Sequence, residues 1–577
     1  MRSKRIMASV TSNRKPLPSD IEIAQDAELA PIPEVAAMVG IDEKFLVPYG
    51  RSVAKVELEA IDAMADRPDA KYVVVTAVTP TPLGEGKTTT AVGLAQGLAK
   101  IGRKPVLALR QPSLGPVFGI KGGAAGGGYS QIVPMETLNL HLTGDFHAIT
   151  AAHNLLAAMV ASHLHFGNEL GLDEIQWGRV MDMNDRSLRH IIEGCGPKTD
   201  GVTRQTGFDI TAASEVMVIM ALATSLADLR QRLGRIVVGF TKDKQPVTAE
   251  QIGCAGAMAV LLKDALMPNL MQTLEHTPAF IHTGPFGNIA TGNSSIIADR
   301  VGIKAGDILL TEAGFAADMG AERFFNVKCR AAGLTPSAAV LVVTIRALKS
   351  HSGRYEVKAG KPLPEGMLQE SPEDVEAGCD NLRKHIQIIR DFGVQPVVAI
   401  NAFPTDFDSE HQVVREVAEK MGARVAVSTH VADGGEGAIE LAKVVVEACE
   451  DETHFTPTYA FEDSLEEKLT KIATKVYGAD GIELSPAAAK SLKMYEQQGF
   501  GNLPVLIAKT QMSLSHDPSL KGAPTGWTLP VREVRLAAGA GYVYAICGNM
   551  MTMPGLSKSP AAMRIDIDAD GTVHGLF

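Results

Sequence analysis

Short unbroken apolar runs alternate with amphipathic stretches along most of the chain. The clearest run is Tyr72-Val73-Val74-Val75-Thr76-Ala77-Val78. It predicts a buried strand, stops at Pro80-Thr81-Pro82-Leu83-Gly84-Glu85-Gly86, and gives way to Ala91, Leu94, Ala95 and Leu98 at helical spacing. Further runs predict strands at Pro105–Leu109, Ile236–Phe240, Ala279–His282, Asp307–Thr311, Ala339–Thr344, Pro396–Asn401, Arg424–Ser428 and Leu503–Ala508. Helices are predicted after a Ser19 cap, from Thr143-Gly144-Asp145-Phe146-His147 onward, through to about Ala448, and over Leu465–Tyr477. Near the C-terminus, Arg564-Ile565-Asp566-Ile567 alternates ahead of Asp570-Gly571 and predicts a hairpin. The pattern as a whole predicts an α/β fold with a parallel-sheet core of the P-loop NTPase kind and two smaller α/β or α+β units.

Strand, glycine loop and a helix opening on Lys87-Thr88-Thr89 form the plan of a phosphate cradle. Backbone N–H groups and the positive helix end face an anion, the lysine reaches the outer phosphates, and the Thr88 hydroxyl meets Mg²⁺. Thr81 stands where the G-x-x-x-x-G-K-[ST] pattern has its first glycine, so the loop is a variant. A nucleoside triphosphate is therefore expected on Thr81, Pro82, Leu83, Gly84, Glu85, Gly86, Lys87, Thr88 and Thr89. The bland alternative is an ordinary strand-to-helix turn. The next strand ends at Arg110-Gln111-Pro112-Ser113-Leu114-Gly115-Pro116, and ligands of open parallel sheets sit beyond such ends. An arginine fork there suits phosphate or carboxylate, against the alternative of a surface ion pair. Lys121-Gly122-Gly123-Ala124-Ala125-Gly126-Gly127-Gly128-Tyr129 is too glycine-rich for a regular element and reads as a substrate wall. Asp145 reads as a helix N-cap. The nearby His147, His153, His163 and His165 lack metal-ligand spacing and read as capping or core residues.

Composition narrows the classes. A chain of 577 residues exceeds one core, and 45% hydrophobic content with 55 glycines and 31 prolines fits a loop-rich α/β enzyme. The expected division is a basic, disordered extension over 1–17, a nucleotide unit over 18–350, a second α/β unit over 351–454 and an α+β unit over 455–577. A net charge of −11 argues against a nucleic-acid groove. Six scattered cysteines without C-x-x-C spacing suggest reduced thiols and a cytoplasmic setting. No apolar run reaches the roughly 18 residues of a membrane span.

Taken in order, these segments resemble formate–tetrahydrofolate ligases, from Pro18 to the last residue. The resemblance rests on the Thr81–Thr90 loop, Pro112-Ser113-Leu114-Gly115-Pro116, Thr311-Glu312-Ala313-Gly314-Phe315, Asn401-Ala402-Phe403-Pro404-Thr405-Asp406 and Met551-Thr552-Met553-Pro554-Gly555-Leu556. It implies activation of formate by Mg²⁺-ATP to formyl phosphate, and transfer to the N10 amine of tetrahydrofolate. It also implies a cytoplasmic homotetramer assisted by a monovalent cation, K⁺ or NH₄⁺. By the same resemblance Lys87 holds the γ-phosphate and Arg110 grips formate and then formyl phosphate. Phe403 stacks on the pterin, with Phe315, Tyr129 and position 431 lining the slot.

Five positions depart from the family pattern. Gln111 replaces a glutamate that, with the aspartate matching Asp145, is associated with the monovalent cation. Val431 replaces an aromatic, Thr291 a histidine, Met512 a tyrosine and Phe407 a small polar residue. They frame a second reading, a diverged paralogue that binds nucleotide and a folate-like ligand with altered activity. A third reading is a nucleotide switch or scaffold ATPase, for which Arg110 and the glycine loop have no use.

Overall fold

The computed structural model describes residues 17–119, 125–358 and 361–576. The expected basic extension up to residue 16 and the first part of the glycine run, residues 121–124, lie outside them. In chain order, one sheet takes strands Leu46–Pro48 (β1), Ala54–Val56 (β2), Lys71–Ala77 (β3), Pro105–Leu109 (β4), Asn269–Thr273 (β5), Pro278–Ile281 (β6), Ile308–Glu312 (β7), Ala338–Val343 (β8), Gln395–Asn401 (β9) and Arg424–Ser428 (β10). The order across it is β1-β2-β5-β6-β4-β7-β3-β8-β9-β10. From β6 to β10 every pairing is parallel, and the β1-β2-β5-β6 edge is antiparallel. Strand β3 thus lies in the middle, flanked by β7 and β8.

Alternate residues of the central strands feed two separate cores, as a strand buried on both faces requires. Tyr72, Val74, Val106, Ala108, Leu341 and Ile400 pack on one face. Val73, Val75, Leu107, Leu109, Val340 and Ala399 pack on the other, beneath the helix Lys87–Lys100 (α1). A third core gathers around the helix Asp145–His165 (α2) and Glu215–Leu222. Val216 to Leu222 is buried throughout, and no described helix is long and apolar enough to cross a membrane.

Several expectations need correction. Strands β9 and β10 continue the main sheet in register with β8, so the boundary expected at 350/351 does not divide it. The strand expected over Ile236–Phe240 forms as Val237–Thr241 but joins a small sheet with Leu172–Ile175 and Pro246–Thr248. Within the glycine run, Gly126–Gly127 does pair, antiparallel, with Ser130–Gln131. Asp145 is the first residue of α2, not its cap, which is Gly144 at φ +89°. The Ser19 cap and the terminal hairpin, Asp566–Ile567 against Val573–His574, form as read.

Helix α1 matters to the site because of what touches its flank. A Cβ added to Gly93 would lie 2.5 Å from the His430 Cβ and 2.8 Å from the Ser130 hydroxyl, and one on Gly97 would lie 2.8 Å from the Ala438 Cβ. The two glycines let α1 abut the segment after β10. Gly93→Val overfills that contact and is expected to cost about 1–3 kcal/mol. A thermal melt that does not shift would refute this packing.

Candidate active site

The carboxyl ends of β4, β7, β3, β8 and β9 lie side by side and carry Arg110, Glu312, the 79–86 loop, Thr344 and Asn401. This is where the topology of an open sheet places a ligand. The loop is held from within by Glu85. Its buried carboxylate accepts from the Thr81 N–H (2.8 Å) and hydroxyl (2.9 Å) through one oxygen, and from the Thr344 hydroxyl (2.7 Å) through the other. Glu85, read from sequence as a nucleotide contact, is thus an internal staple of the loop. Asn401 Nδ2 donates to the Glu85 carbonyl at 3.2 Å. Gly86 caps α1 at φ +74°, where a Cβ would meet Asn401 Nδ2 at 2.5 Å, so both backbone and space demand glycine. Lys87, Thr88 and Thr89 follow as the first turn of α1, their N–H groups facing outward as an anion site requires.

Glu312 joins this helix end to the arginine. Its Oε2 accepts from the Thr88 hydroxyl at 2.5 Å, and its Oε1 lies 3.5 Å from Arg110 Nη2. Arg110 Nη1 donates to the Pro285 carbonyl at 3.2 Å. The loop after Arg110 is fixed by Asp182, which accepts from the Ser113 hydroxyl (2.6 Å) and the Leu114 N–H (3.0 Å). Burial pushes the Asp182 carboxyl above its usual range. Arg189 in turn donates to the Met553 carbonyl, and Arg186 to that of Leu556, so the Met551–Leu556 block braces the segment carrying Asp182.

Gln111 is buried, its N–H donates to the Thr283 carbonyl at 2.6 Å, and its Oε1 has no hydrogen-bond partner among the described residues. Asp145 is taken by a buried ion pair. Its Oδ1 lies 2.8 Å from Lys55 Nζ and its Oδ2 accepts from Asn269 Nδ2 at 2.7 Å. Burial depresses the Lys55 ammonium, with Asp145 opposing that shift. Asp145 therefore has its counter-charge within the chain. Among the described residues no group of three or more His, Cys, Asp or Glu is placed to hold a metal ion. His153, read as a core residue, stacks on Trp177 with ring centroids 4.1 Å apart.

The expected pterin residues fall in three places. Tyr129 and Val431 are neighbours, the Tyr129 N–H donating to the Val431 carbonyl at 2.9 Å. Phe403 lies on the loop after β9, and Arg346 stacks on its ring at 4.0 Å while donating to the Thr405 hydroxyl. Phe407 ends that same loop, capping the helix Asp408–Lys420. Phe315 is on the Arg110 side, at φ +58° with its ring against Gly287. Thr291 is buried beside Gly292, whose carbonyl accepts from the Gly314 N–H. Met512 sits on the loop after Lys509, whose buried ammonium pairs with Asp318 at 2.8 Å. Sequence reasoning missed the role of Glu312. The available signal was an acidic residue closing an apolar run beside the phosphate-loop strand.

The sequence matches the family model for formate–tetrahydrofolate ligase over residues 18–577. The chain belongs to the formate–tetrahydrofolate ligase family. A protein of that name from Cutibacterium acnes is 68% identical over 561 residues, covering 97% of this chain and 100% of the relative. One from Saccharopolyspora erythraea is 63% identical over 562 residues, again 97% and 100%. Formate–tetrahydrofolate ligase 1 of Rubrobacter xylanophilus is 60% identical over 571 residues, 97% of this chain and 99% of the relative. Each relative is matched nearly end to end, so family membership extends to the C-terminal unit and its Met551–Leu556 block.

Proposed function

We propose that this chain ligates formate to tetrahydrofolate with ATP, giving 10-formyltetrahydrofolate, ADP and phosphate. A formate oxygen attacks the γ-phosphorus as ADP leaves. The N10 amine then attacks the formyl carbon, phosphate departs and N10 loses its proton. The observation that carries this reading is the single carboxylate of Glu312 spanning Thr88 and Arg110. It ties the phosphate-loop helix to a fork-shaped cation, the two groups between which an acyl phosphate can be assembled.

Lys87 and the N–H groups of the first turn of α1 hold the outer phosphates. Arg110 holds formate in two-pronged fashion and stays on the charge as it spreads over formyl phosphate. The Thr88 hydroxyl and the Glu312 carboxylate are hard oxygen donors 2.5 Å apart, a donor set that suits Mg²⁺. Thr88 and Glu312 would hold that ion, which would supply positive charge against the phosphates. Phe403, Tyr129, Val431 and Phe315 are assigned to the pterin, which the position of Phe403 at the end of β9, beside the phosphate loop, supports. For a monovalent cation, K⁺ or NH₄⁺, the supporting feature is the unpartnered Gln111 Oε1, a neutral donor, since Lys55 already balances Asp145. The homotetramer and cytoplasmic setting implied by the resemblance belong to the same proposal.

The test is formation of 10-formyltetrahydrofolate by the purified protein, with ATP, formate and tetrahydrofolate each omitted in turn. Product that requires all three is expected. No product at saturating substrates rejects the reading, and product only with another folate-like acceptor moves it to the diverged-paralogue alternative.

A further inference from the structure

We propose that Glu312 is a positioning residue that makes formate binding depend on the magnesium nucleotide. The inference rests on the reading of Arg110 as the formate residue. Glu312 closes β7, the strand between β3, which leads into the phosphate loop, and β4, which leads into Arg110. It is 7% exposed, so its charge is poorly screened by water. Its two oxygens face groups with different roles. Oε2 meets the Thr88 hydroxyl at 2.5 Å, and Oε1 approaches the Arg110 guanidinium at 3.5 Å.

The second contact is long for a charge-assisted hydrogen bond, which closes to about 2.7–2.9 Å. Arg110 is therefore drawn toward Glu312 without being fully satisfied by it, its other prong resting on the neutral Pro285 carbonyl. In the nucleotide-free protein the Glu312 charge opposes formate twice. It repels a second carboxylate brought to Arg110, and it claims part of the guanidinium that carboxylate needs. A cation held by Thr88 and Glu312 would offset the same charge. The repulsion falls, the hold on Arg110 weakens, and the fork is released to formate. By linkage, formate then tightens the magnesium nucleotide by the same factor. The arrangement discourages occupancy of the formate seat before the phosphoryl donor is in place.

The test is a titration of the full-length protein with ¹³C-formate, read by NMR line broadening and without turnover. It is run with no addition, with ADP and EDTA, and with ADP and Mg²⁺. For the wild type, Mg²⁺ and ADP together are expected to tighten formate about tenfold, within the usual range of site–site coupling. For Glu312→Gln, formate is expected to bind as tightly without Mg²⁺ as the wild type does with it, so that the coupling disappears. Glu312→Asp, which keeps the charge, is expected to keep a coupling. Wild-type formate affinity that ignores Mg²⁺ overturns the proposal without reference to any variant. So does a Glu312→Gln protein whose coupling equals that of the wild type. If the wild type forms 10-formyltetrahydrofolate yet shows no coupling, only this inference fails. If formate binds under none of the three conditions, the functional reading fails with it.

Discussion

Arg110→Lys is expected to slow product formation by about a hundredfold to a thousandfold, the usual loss when a preorganised donor to developing charge is removed. The substitution keeps the positive charge, so it separates charge from shape. A lysine ammonium is a point donor on a flexible stem, whereas the guanidinium presents parallel N–H groups that match a carboxylate and then a phosphate edge. Stability is expected to change little. The Arg110 side chain is 26% exposed and its contacts are one carbonyl and the 3.5 Å approach to Glu312. Steady-state kinetics with a parallel thermal melt checks both halves. A fall of less than about tenfold would show that a cation alone suffices and that the two-pronged grip is not used.

Acid is expected to weaken the fold before it charges the base of the nucleotide site. Burial holds His351 and His385 at about 4 in place of 6.5, and both sit on Thr79 at the base of the phosphate loop. His351 Nε2 is 2.8 Å from the Thr79 carbonyl and His385 Nε2 is 3.0 Å from its hydroxyl. His430, against the flank of α1, is likewise depressed to about 4 by burial. For a histidine whose folded value is lowered, the unfolded chain binds the proton more readily. Stability is then complete above 6.5 and drains away as pH falls toward 4. The loss at pH 5 is about 2 kcal/mol for each such group. A melting temperature that falls between pH 7 and 5 is expected, whereas ATP affinity is expected to hold there, because in the folded protein these histidines stay neutral until pH nears 4. His385→Asn should reduce the acid loss of stability, and a wild-type melting temperature flat across that range would refute the account.

The central strands were legible because uninterrupted β-branched runs have few other uses. Lys71–Ala77, Pro105–Leu109 and Arg424–Ser428 form within a residue or two of where the runs place them. The short edge strands Leu46–Pro48 and Ala54–Val56 were not legible, since three residues carry no periodicity. Strand Asn269–Thr273 was hidden as well, because its buried polar residues Asn269, Gln272 and Thr273 interrupt the apolar pattern. Whether β9 begins a new sheet or extends the old one is a question of pairing, which no local pattern answers. At the site, Lys87 and Arg110 were readable because each follows a strong strand. Glu85 and Asp145 were misread for a shared reason: their partners, Thr344 and Lys55, are distant in the chain. A carboxylate in a glycine loop or at a helix start has an obvious local use, and only the folded arrangement reveals a remote one.

The close seating of α1 against His430 and Ala438 bears on how the two substrates meet. The helix that begins at the phosphate loop is, along Gly93 and Gly97, in direct contact with the segment that carries Val431. With Val431 assigned to the pterin as proposed, the nucleotide seat and one wall of the acceptor seat are consequently mounted on the same rigid bracket. Their spacing is set by backbone thickness, with no hinge between them to adjust it. Movements that admit or release ligands are expected to fall elsewhere, at the loop carrying Phe403.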